Sequence, residues 1–162
     1  MTEHNLYAPP KAVVDDVRTS EHAPALWNPM AAVLWSLLFT PIFGAYLHMK
    51  NWQALGDAAR AKQSKQWAMG VALVTVAMMV LGAVLPEVPG LDAAMRGGGI
   101  GLLVGWYYAS GKAQHAHVLA RFGGQYPRKG WAKPLLAAVA LYALAVLAIV
   151  ALAMVQGDFD AQ

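Results

Sequence analysis

The chain has 162 residues, 58% of them apolar and only 13% charged, with a formal net charge of +3. Ordinary soluble domains are about a quarter charged, so lipid rather than water is expected over much of the surface. The absence of cysteine excludes disulfides, thiol catalysis and cysteine-ligated metal centres.

Residues 1–27 are polar, carry four acids and two bases, and include Pro9, Pro10 and Pro24. This composition predicts a mobile tail with no core of its own. No basic stretch leads into an apolar run, so no cleavable signal peptide is expected.

Four apolar stretches follow, at about 30–49, 67–85, 95–110 and 134–155. Crossing the hydrocarbon takes about 20 apolar residues, and backbone groups in lipid must bond within their own segment. The expected fold is therefore all-α: a polytopic helical membrane protein, with a four-helix transmembrane bundle over 28–156 and a short acidic tail at 157–162. The third stretch is short. The first contains Pro41, which leaves two alternatives. It is a continuous span, Pro being tolerated where neighbours satisfy the freed carbonyl, or a re-entrant hairpin broken at Thr40-Pro41 and Gly44. The continuous span is preferred.

Nine of the twelve Lys and Arg residues fall in two connections. Lys50, Arg60, Lys62 and Lys65 lie between stretches one and two; Lys112, Arg121, Arg128, Lys129 and Lys133 lie between three and four. Short basic loops stay cytoplasmic. With a continuous first span, both loops are inside, and the acidic turn "PEVPGLD" and both termini are outside. Charge placed this way speaks for membrane orientation and against nucleic acid.

The two halves share a spacing of 61 residues: Gly44, Tyr46 and Ala59-Arg60 match Gly105, Tyr107 and Ala120-Arg121. Trp67-Ala68 and Trp131-Ala132 open the next stretch of each half. This pattern predicts two parallel helical hairpins.

"MRGGGIGLLVG", residues 95–105, fits neither the dinucleotide G-x-G-x-x-G pattern nor a P-loop. Its useful spacing is four: Gly97, Gly101, Gly105, then Ala109. One helical face thus lacks side chains and lets another helix approach closely, within the bundle or from another copy. The alanines of the fourth stretch (Ala137, Ala140, Ala143, Ala145, Ala148, Ala151) suit it as partner.

Chemistry is sparse. No ionisable group lies deep in a stretch, where relays and ion coupling would need one; Arg96 and His48 sit at ends. Ser36, Thr40 and Thr75 are expected to bond carbonyls one turn back. His115 and His117 point apart on a helix, unlike metal-binding pairs. No catalytic set, cofactor or metal is therefore expected. In "RFGGQYPRKGWAKP", Gly123-Gly124 end a helix and Pro134 suits a first turn. Arg121, Arg128, Lys129 and Lys133 then lie at head-group level, with Tyr126 and Trp131 as interfacial anchors, facing anionic lipid or an acidic partner. "NWQALGDAARAKQSKQW" is read as a surface helix dipping Trp52 and Leu55 into the membrane.

The Asn28-Pro29 pair with "WSLLFTPIFG", "NWQALG" and "YPRKGWAKP" resembles a group of small bacterial multi-pass membrane proteins, some with an N-terminal GYF-like domain. "NLYAPP" resembles a leader found before membrane spans in many bacterial proteins. The resemblance covers residues 28–56 and 121–134 best, implies the bacterial inner membrane, and transfers no catalytic residue. The chain departs from the group in having a short tail where the GYF-like domain would sit.

Together these readings predict a non-enzymatic inner-membrane protein. It would act through helix and protein contacts, as an accessory subunit or an immunity-type protein against a membrane-directed toxin. The alternative is a small transporter or channel subunit with its pore formed in an oligomer.

Overall fold

The computed structural model describes residues 23–85 and 90–160; most of the polar tail (1–22), part of the acidic turn (86–89) and residues 161–162 lie outside the described residues. The described residues are helical throughout, apart from connections and one isolated bridge between Leu26 and Arg128. The elements are α1 Pro29–Ala54, α2 Ala58–Val84, α3 Leu91–Trp106, α4 Lys112–Phe122 and α5 Ala132–Asp160, with a π-helical turn at Tyr107–Gly111 joining α3 to α4.

Among the described residues three helical segments are long and apolar enough to cross a membrane: Pro29–Ala54, Ala58–Gly82 and Ala132–Ala151. The first, however, is not a rod. Thr40 has φ 71 and ψ 159, a region that β-branched residues almost never enter. Pro41 behind it disfavours helical backbone at the preceding residue. The chain reverses there. In a straight helix, residues 29 and 48 would be about 28 Å apart, yet His48 Nε2 donates to the Pro29 carbonyl at 3.1 Å. The arms 29–38 and 41–54 lie side by side, and at roughly 15 and 21 Å long neither matches the ~30 Å hydrocarbon thickness. The continuous first helix that was expected is corrected to a helical hairpin.

Gly44 shows why the arms can meet. A Cβ there would collide with Ser36 Oγ and the tip of the Trp106 ring, and would lie 3.1 Å from the Ala32 carbonyl. Only a glycine admits this approach.

Between α1 and α2 only Leu55–Asp57 are non-helical. Asp57 caps α2, accepting from the Arg60 N–H at 2.9 Å. The expected surface helix is therefore absent: its first residues finish α1 and the rest begin α2. Trp52 is buried, not dipped into lipid. Likewise, α5 continues through Asp160, so the acidic tail is mostly helix.

From α3 the chain runs on through the π turn into α4. Residues four apart on an α-helix drift by about 40° per step. The wider π turn, where the Lys112 N–H reaches the Tyr107 carbonyl, takes in an extra residue. Trp106, Ser110, Gln114 and Val118 are thereby all buried on one side. Gly123, with left-handed φ 58, ends α4. The two halves of the chain are thus built differently: Gly101, which matches Thr40 at the 61-residue offset, lies within unbroken helix.

Polarity is sorted inside out. His48, Asn51, Ser64 and Gln114 are fully buried, whereas Leu38, Leu73, Leu136 and Leu141 are about 70% exposed. Exposed apolar surface on this scale marks a non-aqueous or partner-covered exterior.

Candidate functional site

The polar interior is organised around Asn51. Its Oδ1 accepts from the Trp27 N–H at 3.0 Å, and its Nδ2 donates to the Trp27 carbonyl at 2.8 Å and to Gln114 Oε1 at 3.1 Å. Gln114 Nε2 in turn donates to the His48 carbonyl at 2.8 Å. Asn28 caps α1, its Oδ1 accepting from the N–H groups of Met30 and Ala31, as the helix N-cap position favours. Three segments distant in sequence are tied at one point: the N-terminal segment, the second hairpin arm and α4. Each bond is satisfied at both ends, which buried amide groups require.

A second lock lies beside it. Leu26 donates its N–H to the Pro127 carbonyl and accepts from the Lys129 N–H, both at 2.9 Å, while Trp27 Nε1 donates to the Gly130 carbonyl at 3.0 Å. The Lys129 ammonium lies 4.4 Å from the Trp27 ring centre. Residues 23–27 are consequently not a free tail, and Leu26 is fully buried. The N-terminal segment sits with the basic connections, not at the opposite end, because a hairpin returns the chain to where it started.

The basic cluster at 121–133 is therefore partly occupied within the chain. Arg121 lies over Phe122, and Arg128 over Tyr126; Trp131 approaches Trp35 at 6.4 Å. Lys133 is exposed. Burial raises the Tyr126 pKa, against an opposing effect of Arg128.

His48, expected at a helix end, is instead buried between the arms, its ring 5.2 Å from Trp106. His48 Nδ1 and Trp106 Nε1 are buried without a hydrogen-bond partner among the described residues. His117 faces Trp52 at 5.0 Å, with Arg60 over the same indole. Its pKa is lowered by partial burial and by the charges of Arg60 and Arg121. Among the described residues no three of His, Asp and Glu come together. Ser36 donates to the Ala32 carbonyl and Thr75 to the Val71 carbonyl, both at 2.8 Å.

The glycine face is a separate place. Gly97, Gly101, Gly105 and Ala109 are exposed, and nothing lies within 4 Å of a Cβ built on any of the three glycines. The alanine-rich α5 does not serve as the expected partner: it lies against the hairpin, across a groove lined by Phe39, Phe43, Ala137 and Leu141. A further cavity of about 410 Å³ opens where the hairpin reverses, with Ser36, Thr40, Thr75 and Arg96 among its lining residues.

Sequence reasoning missed Asn51 and Gln114. Both sit at the ends of apolar stretches, where an amide is as readily interfacial as structural. Only the fold shows that they meet.

Compared with family models, curated proteins and solved structures, the chain matches none.

Proposed function

We propose that the chain is a non-enzymatic protein of the bacterial inner membrane that presents the Gly97–Gly101–Gly105–Ala109 face of α3 to a helix of another protein or of a second copy. The carrying observation is that this face is bare, while the buried polar side chains mostly hold the hairpin closed. Lipid gives no hydrophobic reward for helix association, so close backbone approach over small residues is what favours it. An accessory or immunity-type protein works through such contacts and needs no reactive set.

The hairpin also changes the proposed orientation. Both basic connections remain cytoplasmic by the distribution of Lys and Arg, the N-terminal segment lies with them, and α5 carries the C-terminus to the periplasm. Cysteine labelling of intact cells tests this: Ala25→Cys and Lys62→Cys should be protected and Asp158→Cys reactive. Labelling of Ala25→Cys from outside would refute the proposed orientation. For the contact face, Gly101→Leu should abolish co-purification or self-association while leaving the folded monomer intact; unchanged association would reject the proposed role.

One observation favours a second reading, a small transporter or channel subunit. Irregular backbone at membrane depth is tolerated where it is buried in protein or lines a cavity, and the break at Thr40 opens on the cavity with Ser36, Thr75 and Arg96. Reconstituted liposomes separate the two: solute or ion flux that the protein induces supports transport, and its absence supports the contact role.

A further inference from the structure

The groove between the hairpin and α5 has a volume of about 570 Å³ and is lined mainly by apolar side chains, among them Phe39, Phe43, Ala68, Ala137 and Leu141, with Tyr46 toward one end. This is within the range of small-molecule sites. Its ends differ in charge. On a helix, residues three or four apart share a face. Lys50 lies one turn beyond Tyr46 on the second hairpin arm, Lys65 one turn before Ala68 on α2, and Lys133 one turn before Ala137 on α5. All three displacements run toward the basic connections, so the helix register places three lysines, on three helices, beyond the same end of the groove. The Lys50 ammonium lies 5.7 Å from the Tyr46 ring centre, which puts it at that mouth. Between residues 30 and 85 and between 93 and 157 the sequence holds a single acid, Asp57, and its carboxylate is 3.5 Å from Arg60 Nε. The other end of the groove reaches the hairpin reversal at Thr40 and Tyr142 and has no charged lining residue.

We infer that this groove is a binding site for an anionic phospholipid of the surrounding leaflet. Its phosphate would sit among Lys50, Lys65 and Lys133, with one acyl chain lying between Phe43 and Leu141. The charge arrangement selects this occupant over a second copy of the chain: a helix seated in the groove would bring a polypeptide backbone, not an acidic group, to the three lysines. Each basic residue near a membrane surface attracts anionic lipid by about 1 kcal/mol, so three acting together are worth on the order of a hundredfold in affinity.

The inference rests on the membrane reading above, and the two fail separately. Membrane residence is read from whether the full chain stays in the membrane fraction after an alkaline wash. Lipid binding is read by native mass spectrometry on the detergent-purified protein, with phosphatidylglycerol, phosphatidylcholine of the same chains, and glycerol phosphate as probes.

Phosphatidylglycerol should bind roughly a hundredfold tighter than phosphatidylcholine, and glycerol phosphate, lacking chains, not at all. The triple variant Lys50→Gln, Lys65→Gln, Lys133→Gln should lose the preference but keep weak binding of both lipids. Ala137→Trp should block both by filling the groove, and Lys62→Gln should change nothing; circular dichroism melts check that each variant is folded. Equal binding of the two lipids by the native chain overturns the inference. So does an intact preference in the triple variant, or an Ala137→Trp protein that keeps its lipid and changes oligomeric state, which would make the groove a protein interface.

Discussion

Gly44 and Gly101 are the same residue in opposite surroundings. Gly44 lies where two arms of one helix press together and Trp106 closes over them; Gly101 looks out on open space. Around the first, a serine hydroxyl, an indole and a backbone carbonyl crowd in; around the second, nothing comes within 4 Å of where a side chain would start. The contrast shows how a chain in lipid divides its labour. Polar groups, costly to expose to hydrocarbon, are spent on holding the chain's own segments together. Small residues left outside are available for contacts between chains.

The largest effect expected from breaking this division comes from Asn51→Ala. It orphans the Trp27 N–H and carbonyl and the Gln114 amide oxygen, each loss costing about 1–3 kcal/mol when buried. The summed loss should be toward the lower end of roughly 3–9 kcal/mol, because the Trp27 groups are only half-buried, read as a lower unfolding midpoint in detergent and rapid proteolysis near residues 23–28. Retention of native protease resistance there would show that the knot is not what holds the N-terminal segment. Gly44→Ala comes next. Overpacking of this kind costs about 1–3 kcal/mol, because Ser36, Trp106 or the arm itself must move.

Gly101→Ala should have the opposite sign. With nothing to collide with, the added methyl recovers helix propensity, a gain of about 0.5–1 kcal/mol. Should both alanine variants shift the unfolding midpoint in the same direction, the contrast between the two glycines would be wrong.

The smallest effect is a pH dependence at His117. Its pKa lies below the ordinary 6.5 because of partial burial and of Arg60 and Arg121, so folding favours the neutral ring, whose Nδ1 accepts from Arg60 at 3.5 Å. A depressed histidine pKa contributes stability above about pH 6.5 and loses it as pH falls through the folded value. A slight loss of stability between neutral and mildly acidic pH is expected. Arg60→Ala should move the His117 titration, followed by NMR, upward toward 6.5. No movement would mean that Arg60 is not felt there.

Much of this fold was legible in composition and spacing. The second apolar stretch lies in α2 up to its last residue, which caps that helix, the fourth falls within α5, and Gly123 stands where α4 stops. Thr40-Pro41 is visible as a break in the first stretch, but its outcome is not. Proline alone permits a kinked span or a reversal, and the choice depends on whether something binds the returning arm. What binds it is His48 on Pro29 and Asn51, which bonds Trp27 24 residues back and Gln114 63 residues on, pairings that no local pattern links. The lysines proposed to serve the groove are visible in the sequence as loop charges, but the groove itself exists only because of the same reversal. Misjudging one backbone torsion pair therefore misplaced the N-terminal segment, the surface helix and the partner of α5 together.

The bond from Trp27 to Gly130 spans 103 residues, and this imposes an order of events during synthesis. Chains emerge from the ribosome at about 5–20 residues per second. The first apolar stretch therefore waits roughly 5–20 s for its clasp. Through that interval the reversal at Thr40 is held by the bonds nearer in sequence, from His48 to Pro29 and between Asn51 and Trp27. Completion of the α4–α5 connection therefore adds the last clasp to an N-terminal segment that Asn51 already holds.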